Sequence, residues 1–203
     1  MPKTTFLNLN KDKSEKVTNI LLDIFYDKNV SQVTVSEIVE ALEMSRGAFY
    51  KYFVDIYDAY YTIAKQCAYQ VHTSIMQFIK ENEYDFMLGL ENYLAWCADL
   101  DPSSYEWKSI QMLSLSNANV YAKRPTTSED LLHSEMVKDW LVLLNKKEIL
   151  FKTKEEALYF LYFIEHLVIT SLQDFIVNDW SKDELMKDFS YKKNWVIHGI
   201  QNK

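Results

Sequence analysis

The sequence predicts an all-α protein, on three observations. Only three Gly and three Pro occur in 203 residues, so the residues that interrupt helices are scarce. Apolar residues recur at spacings of three and four through most of the chain, the period of a helix with one buried face. Ser, Thr or Asp repeatedly precedes these runs with Glu or Asp three residues on, the pattern of capped helix starts. With 48% hydrophobic residues, the chain can fill a core.

In chain order, residues 1–13 read as a mobile arm. Ser14 can cap a first helix, on which Val17, Ile20, Leu21, Ile24 and Phe25 form a buried stripe. That helix is expected to be the platform for the stretch Thr34 to Asp58, TVSEIVEALEMSRGAFYKYFVDIYD. Thr34 is an N-cap, with Glu37 placed to reach back to its N–H, and Val33 with Ile38 has the spacing of a hydrophobic staple. After a break at Glu43-Met44, Ser45 is a second N-cap, and Met44 with Phe49 repeats the staple. Asp55 is a third, with Asp58 three residues on. Two short helices across a tight turn make a helix-turn-helix, whose second helix can enter a DNA major groove. On that helix, Arg46 to Tyr52, Phe49 and Phe53 anchor one face in a core. Arg46, Gly47, Ala48, Tyr50, Lys51 and Tyr52 are left at the start and on the outer faces. Arg46 can read guanine or bind phosphate. Gly47 allows close backbone approach. Tyr50, Lys51 and Tyr52 offer donors to phosphate oxygens. Pattern alone leaves this reading and that of three ordinary capped helices with an aromatic core equally open.

The residues carry the reading further. The run T-V-S-E-I-V-E-A, then M-S-R-G-A-F-Y-K-Y-F, then Asp55 resembles the DNA-binding domain of the tetracycline-repressor-like (TetR) family, from near Ser14 to near Asp58. The resemblance implies a DNA site made of Thr34, Ser36, Ser45, Arg46, Gly47, Ala48, Tyr50, Lys51 and Tyr52. Arg46, Gly47 and Ala48 would lie near base edges, and the others would hold the backbone. The sequence departs from the family pattern at three places. Glu43 stands in the turn where Gly is common, which predicts a mildly unfavourable backbone there. Asn29 is the stand-in for a Gly before the second helix, since Asn tolerates positive φ. Ile56 stands where Lys usually supplies a phosphate contact at the start of the fourth helix.

From Ile56 to about Lys80 a long helix carries Tyr60, Ile63, Cys67, Val71, Ile75 and Phe78 along one side. It reads as a lever out of the head. Further helices are expected at about 84–99, 104–118, 127–147, 154–178 and 182–199. Their starts carry Ser103 with Glu106, Thr126 with Glu129, Thr153 with Glu156, and Ser181 with Glu184, and the breaks fall near Pro102 and Pro125. The division expected is a helix-turn-helix DNA-binding domain over 1–56 and a helical effector-binding and dimerisation domain over 57–203, about nine helices in all. Helix 154–178 is apolar over much of its circumference, which implies a second burial beyond its own core. The resemblance implies a homodimer through the last two helices, with Leu161, Ile164, Val168, Leu172, Phe175 and Leu185 at the interface. It also implies a small-molecule effector in the C-terminal part. Tyr93, Trp96, Tyr105, Trp107, Met112, Trp140, Phe163 and His166 are the candidate contacts, aromatics with a few polar tips that suit a mostly apolar pocket. Aromatics at helical spacing also suit a plain core.

The net charge is −7, of which residues 1–56 carry −1 and the remainder −6. A nearly neutral head predicts a small phosphate footprint, to which Lys11, Lys13 and Lys16 can add. The chain has no Gly-rich phosphate loop, HExxH or CxxC, and His72, His133, His166 and His198 have no i, i+4 partner. Neither enzymatic activity nor a metal or cofactor is expected. No 18-residue uncharged apolar run occurs, so no membrane partner is expected. The N-terminal residues lack an apolar signal core. With Cys67 and Cys97 reading as unpaired thiols, this fits a reducing cytoplasm. The expectation is a cytoplasmic, homodimeric transcriptional regulator. It would act as a repressor on a palindromic double-stranded DNA operator and be released by a small molecule. The alternative is a DNA-attached adaptor that recruits a protein and has no small-molecule ligand.

Overall fold

The computed structural model describes residues 2–115, 135–147 and 151–200. Among these it has ten α-helices and no strand: α1 (Thr4–Leu7), α2 (Lys11–Phe25), α3 (Val35–Ala41), α4 (Arg46–Tyr52), α5 (Ile56–Glu81), α6 (Phe86–Ala98), α7 (Tyr105–Leu115), α8 (Glu135–Leu144), α9 (Lys154–Val177) and α10 (Lys182–His198). The all-α expectation holds. The chain forms two compact units, Met1–Val71 with Asp101–Ala122, and His72–Leu100 with Lys123–Lys203. The unit that holds the helix-turn-helix thus takes in more chain than residues 1–56, α7 included.

In the first unit the core gathers Val17, Leu21, Leu22 and Phe25 of α2, Ile38 of α3, Phe49 and Phe53, Tyr60 and Ile63 of α5, and Met112 of α7. The expected stripe on α2 is real, with Ile20 at its edge. The helix starts where Asn10, not Ser14, accepts from the Lys13 N–H at 3.0 Å. Residues 2–13 are not an arm. Phe6 is buried, Lys3 N–H donates to the Tyr52 carbonyl at 2.8 Å, and α1 packs on α4. Three apolar side chains, Phe6, Leu7 and Leu9, within a polar tail are the signal for this docking. Asn29 does not take positive φ. It sits at φ −67° and caps a 3-10 turn, accepting from the Ser31 N–H at 3.0 Å, while the Gln32 side chain accepts from the Asn29 N–H. An extended cap does the job of a left-handed Gly. Ion pairs Lys28–Glu37 (2.7 Å) and Lys108–Asp23 (2.6 Å) tie the outside of this unit together.

In the second unit α6 packs on α10 and α9, and α10 on α9. Gly89 of α6 is required by contact. A Cβ there would lie 2.5 Å from the Ile79 Cα, so only Gly lets α6 lie this close to the end of α5. The connection between them holds Glu83 and Tyr84 at φ 54° and 62°. An aromatic series fills the interior: Phe78, Tyr93 and Trp96 in one group, and His72, Trp140, Phe86, Phe160 and Phe151 in another. The capping box predicted at Ser181 and Glu184 is present. Thr153 accepts from the Glu156 N–H as expected, though the Glu156 carboxylate turns to the Lys152 N–H. α7 is capped by Ser104 rather than Ser103, whose hydroxyl donates to Asp101 instead. Thr126, Glu129, Pro125 and the first part of helix 127–147 lie outside the described residues. By length and composition α9 could cross a membrane. Its Ala157, Leu158, Ile164, Val168 and Leu172 are buried in this unit, and Glu165 and Asp174 place carboxylates along its length.

Candidate nucleic-acid interface

The site begins with two caps and one strained turn. Thr34 Oγ1 accepts from the Glu37 N–H at 3.2 Å, and Ser45 Oγ accepts from the Ala48 N–H at 3.2 Å. Both hydroxyls act as acceptors here, so each keeps its own O–H to donate outward. The Glu37 carboxylate accepts from Lys28 Nζ at 2.7 Å, and α3 starts on the Thr34 cap without the capping box expected from Glu37. The Glu37 pKa lies below the ordinary value, first through the Lys28 hydrogen bond. Between the helices, Glu43 N–H donates to the Glu40 carbonyl at 3.1 Å and Met44 N–H to the Val39 carbonyl at 2.9 Å. These two bonds are the Schellman closure of α3, which puts the residue after the cap in left-handed space. Glu43 is there at φ 51°, as the missing Gly predicts.

The closure delivers α4 with Phe49 and Phe53 fully buried. Arg46, Gly47, Tyr50 and Lys51 are exposed, Ala48 is half-buried, and Thr34, Ser36 and Ser45 are exposed at the helix starts. A Cβ on Gly47 would meet only Ser45 Oγ at 3.8 Å, so its outer side is open. Tyr50 is 44% exposed, its ring held edge-on by Phe49 at 5.3 Å. Tyr52 departs from its expected outward place. It is 7% exposed, with its ring edge-on to Phe6 at 6.1 Å and Lys13 Nζ 6.0 Å over its face. A heptapeptide helix with Phe49 and Phe53 inward turns residue 52 partly inward too, since 49, 52 and 53 share a face. Of the lysines expected to add charge, Lys13 is held over Tyr52, Lys11 pairs with Glu15 at 3.8 Å, and Lys16 is exposed.

After α4, the Asp58 N–H donates to Asp55 Oδ1 at 2.8 Å, and Asp58 Oδ2 accepts from the Val54 N–H at 2.9 Å. This reciprocal cap fixes the start of α5. Ile56, where a Lys was expected, is half-buried, and Tyr57 beside it is 48% exposed. The sequence reading misses Tyr57, a donor in the first turn of a helix next to the reading face.

Residues 22–58, from within α2 to the start of α5, match the family described as bacterial regulatory proteins, tetR family. Residues 85–200, more than half the chain, match the family described as tetracyclin repressor-like, C-terminal domain. The chain belongs to the TetR family. It is therefore a DNA-binding transcriptional regulator. Among solved structures it is similar to a TetR family transcriptional regulator from Chloroflexus aurantiacus J-10-FL. The identity is 18%, over 97% of this chain and 91% of that one, with a TM-score of 0.49. No curated protein matches the chain.

The TetR frame also organises the remaining expected residues. The eight ligand candidates are divided between the two units. Tyr105, Trp107 and Met112 belong to the first unit, with Met112 inside its core. In the second unit Tyr93 and Trp96 pack together at 5.8 Å, Trp140 packs on Phe86 and His72, and Phe163 and His166 are exposed on α9. Burial pushes the Tyr93 hydroxyl well up and the Cys97 thiol up to about 12, so both stay protonated. Burial also lowers the His72 pKa, against the pull of Glu165. Trp140 Nε1 and His72 Nδ1 are buried without a hydrogen-bond partner among the described residues. Of the six residues expected at a dimer interface, Ile164, Val168, Leu172 and Leu185 are buried in their own unit, and Leu161 and Phe175 are half-buried. The outward apolar positions of the last two helices are others: Tyr159, Phe163, Val177, Tyr191, Trp195 and Ile197, each at least half exposed. The i, i+4 pairs Tyr159–Phe163 and Tyr191–Trp195 were the available signal.

Proposed function

We propose that this TetR-family regulator is a homodimeric repressor that binds a near-palindromic operator through α4 and is released by a small-molecule effector. The observation that carries the DNA half is the outward set on α4. Arg46, Gly47, Tyr50 and Lys51 are exposed over an anchor of Phe49 and Phe53 that is fully buried. Arg46, Gly47 and Ala48 would meet base edges. Thr34, Ser36, Ser45, Tyr50 and Lys51 would hold phosphates, with Tyr52 acting as a packing residue and Tyr57 as a further donor. A second burial on Tyr159, Phe163, Tyr191 and Trp195 supports the dimer, because exposed aromatic pairs of this size favour a partner. Two heads roughly 34–36 Å apart would then meet successive major grooves. The effector half is supported by Trp140 Nε1 and His72 Nδ1, buried polar atoms among Phe86 and Phe160 that a ligand could satisfy. An effector shifts the equilibrium only if it binds the DNA-incompetent state more tightly.

Selection of bound duplexes from a random pool tests the DNA half. An inverted repeat is the expected result, and no enrichment would sink the reading. On the selected duplex, Arg46→Ala is expected to cost about 1–3 kcal/mol and to relax sequence preference, while Tyr50→Ala weakens all sequences alike. Trp fluorescence during titration with a panel of small molecules, followed by duplex release, tests the effector half.

A further inference from the structure

The C-terminal end of α4 is closed from outside the helix-turn-helix. A helix leaves its last four carbonyls without partners of its own. Here the Phe49 carbonyl accepts from the Phe53 N–H at 3.0 Å, as a cap provides. Two of the others are filled by a single residue forty-seven or more positions away. Lys3 Nζ donates to the Tyr50 carbonyl at 2.7 Å, and the Lys3 N–H donates to the Tyr52 carbonyl at 2.8 Å. The ammonium also sits at the negative end of the helix dipole. Phe6 completes the attachment, 3% exposed, with its ring 4.8 Å from Phe53 and 6.1 Å from Tyr52. α4 has only seven residues, too few to be stable by its own hydrogen bonds. What holds its two ends therefore adds to the buried Phe49 and Phe53 anchor in setting its pitch. Ser45 holds the first, and the N-terminal segment holds the second.

We infer that residues 2–9 form a clamp on the reading helix, and that Lys3 is a positioning residue for sequence-specific DNA binding rather than a DNA contact. The inference rests on the assignment of α4 as the reading helix. Lys3→Met removes the side-chain donor and keeps the backbone bond and Phe6. Lys3→Arg keeps a cation in reach of the Tyr50 carbonyl. The full-length protein is measured in two ways. Without DNA, amide hydrogen exchange at Tyr50 to Phe53 is expected to quicken at least fivefold in Lys3→Met, with α2 amides unchanged and with Lys3→Arg near wild type. With a duplex recovered by selection on the wild-type protein, and a scrambled duplex of the same composition, the preference for the selected duplex is expected to fall about tenfold in Lys3→Met. The slope of log affinity against log salt is expected to stay the same.

A slope lower by about 0.9 would make Lys3 a phosphate contact and overturn the inference. A proportional loss on both duplexes together with a lowered unfolding temperature would make it a general stability residue, and the inference would fall on that result too. Unchanged exchange at Tyr50 to Phe53, or Lys3→Arg behaving as Lys3→Met, overturns it as well. If selection yields no duplex, the reading of α4 falls, and the exchange measurement alone decides whether the clamp exists.

Discussion

The two compact units leave different kinds of surface uncovered. In the first, the exposed large side chains nearest the reading helix are Tyr50, Val54 and Tyr57, two of them with hydroxyls that can donate to a polar, charged partner. In the second, the exposed set on α9 and α10 includes Phe163, Val177, Trp195 and Ile197, side chains that gain most from an apolar partner. The interiors differ as well. The first unit closes over Phe25, Phe49 and Phe53, and its Cys67 is buried near Tyr105 and Ser109. The second closes over Phe86, Tyr93 and Trp140, while buried polar atoms with no partner among the described residues occur in both: Ser109 Oγ in the first, Trp140 Nε1 and His72 Nδ1 in the second. The contrast matches the proposed division of labour, with nucleic acid as the partner proposed for one unit and a second copy with a ligand as those proposed for the other.

The sharpest way to break this contrast is to cut each unit at an aromatic of equal size. Phe49→Ala removes a fully buried ring from the first unit and is expected to cost about 3–5 kcal/mol, read as a lower urea midpoint and loss of DNA binding together. Phe163→Ala removes a ring that is 50% exposed. It is expected to leave the urea midpoint of dilute protein within about 0.5 kcal/mol of wild type. Equal losses from the two would mean that the α9 face is already covered within one chain. Next in size is association. The double change Phe163→Asp with Trp195→Asp places two carboxylates on the apolar face, and the dimer is expected to weaken by about 2 kcal/mol or more. Sedimentation over a range of concentrations would register this as a shift to monomer. A dimer that survives it uses another surface. Third is Gly89→Ala, which forces a Cβ to within 2.5 Å of the Ile79 backbone. Overpacking of this kind is expected to cost about 1–3 kcal/mol, visible as a lower melting temperature with the affinity of the heads for DNA preserved in the folded protein.

The contrast also decides how much could be read from the sequence. In the head, local rules and global packing agree. Thr34, Ser45 and Asp55 cap where their spacing says, Phe49 and Phe53 anchor, and Glu43 takes the strained turn. Short-range patterns suffice there because each of these helices begins at a residue with a specific hydrogen-bonding task. The pattern failed where a contact spans long sequence separations. Lys3 and Phe6 reach α4 across the whole platform helix, and Phe6 covers the Tyr52 ring that the helix turns partly inward. In the second unit the periodicity located α6, α9 and α10 but not their rotation. On a helix apolar nearly all round, Ile164, Val168 and Leu172 look as outward as Tyr159 and Phe163. Only packing against α10 and α6 decides which side is inner. Asn29 shows the same limit at one residue. Composition permits positive φ, but a capping box with Gln32 offers a better use of its side chain.

The smallest expected effect tests the head's one local flaw. Glu43 is held at φ 51° by the two Schellman bonds to Glu40 and Val39, a region that costs an L-residue about 1 kcal/mol relative to Gly. Glu43→Gly removes that strain. It also loosens the unfolded chain, which offsets part of the gain. A net rise in stability of about 0.5 kcal/mol is therefore expected by urea titration. The substitution has a second consequence of opposite origin. It deletes an exposed carboxylate two residues before Ser45, the cap of the reading helix, so repulsion from phosphate falls and affinity for any duplex should rise modestly at low salt and less at high salt. Glu43→Ala separates the two effects: it removes the charge but keeps the left-handed strain. DNA affinity should follow Glu43→Gly in both variants while stability follows it in only one. If affinity rises only with Gly, the turn's geometry rather than its charge limits how α4 meets DNA, and the head is less complete by itself than its buried core suggests.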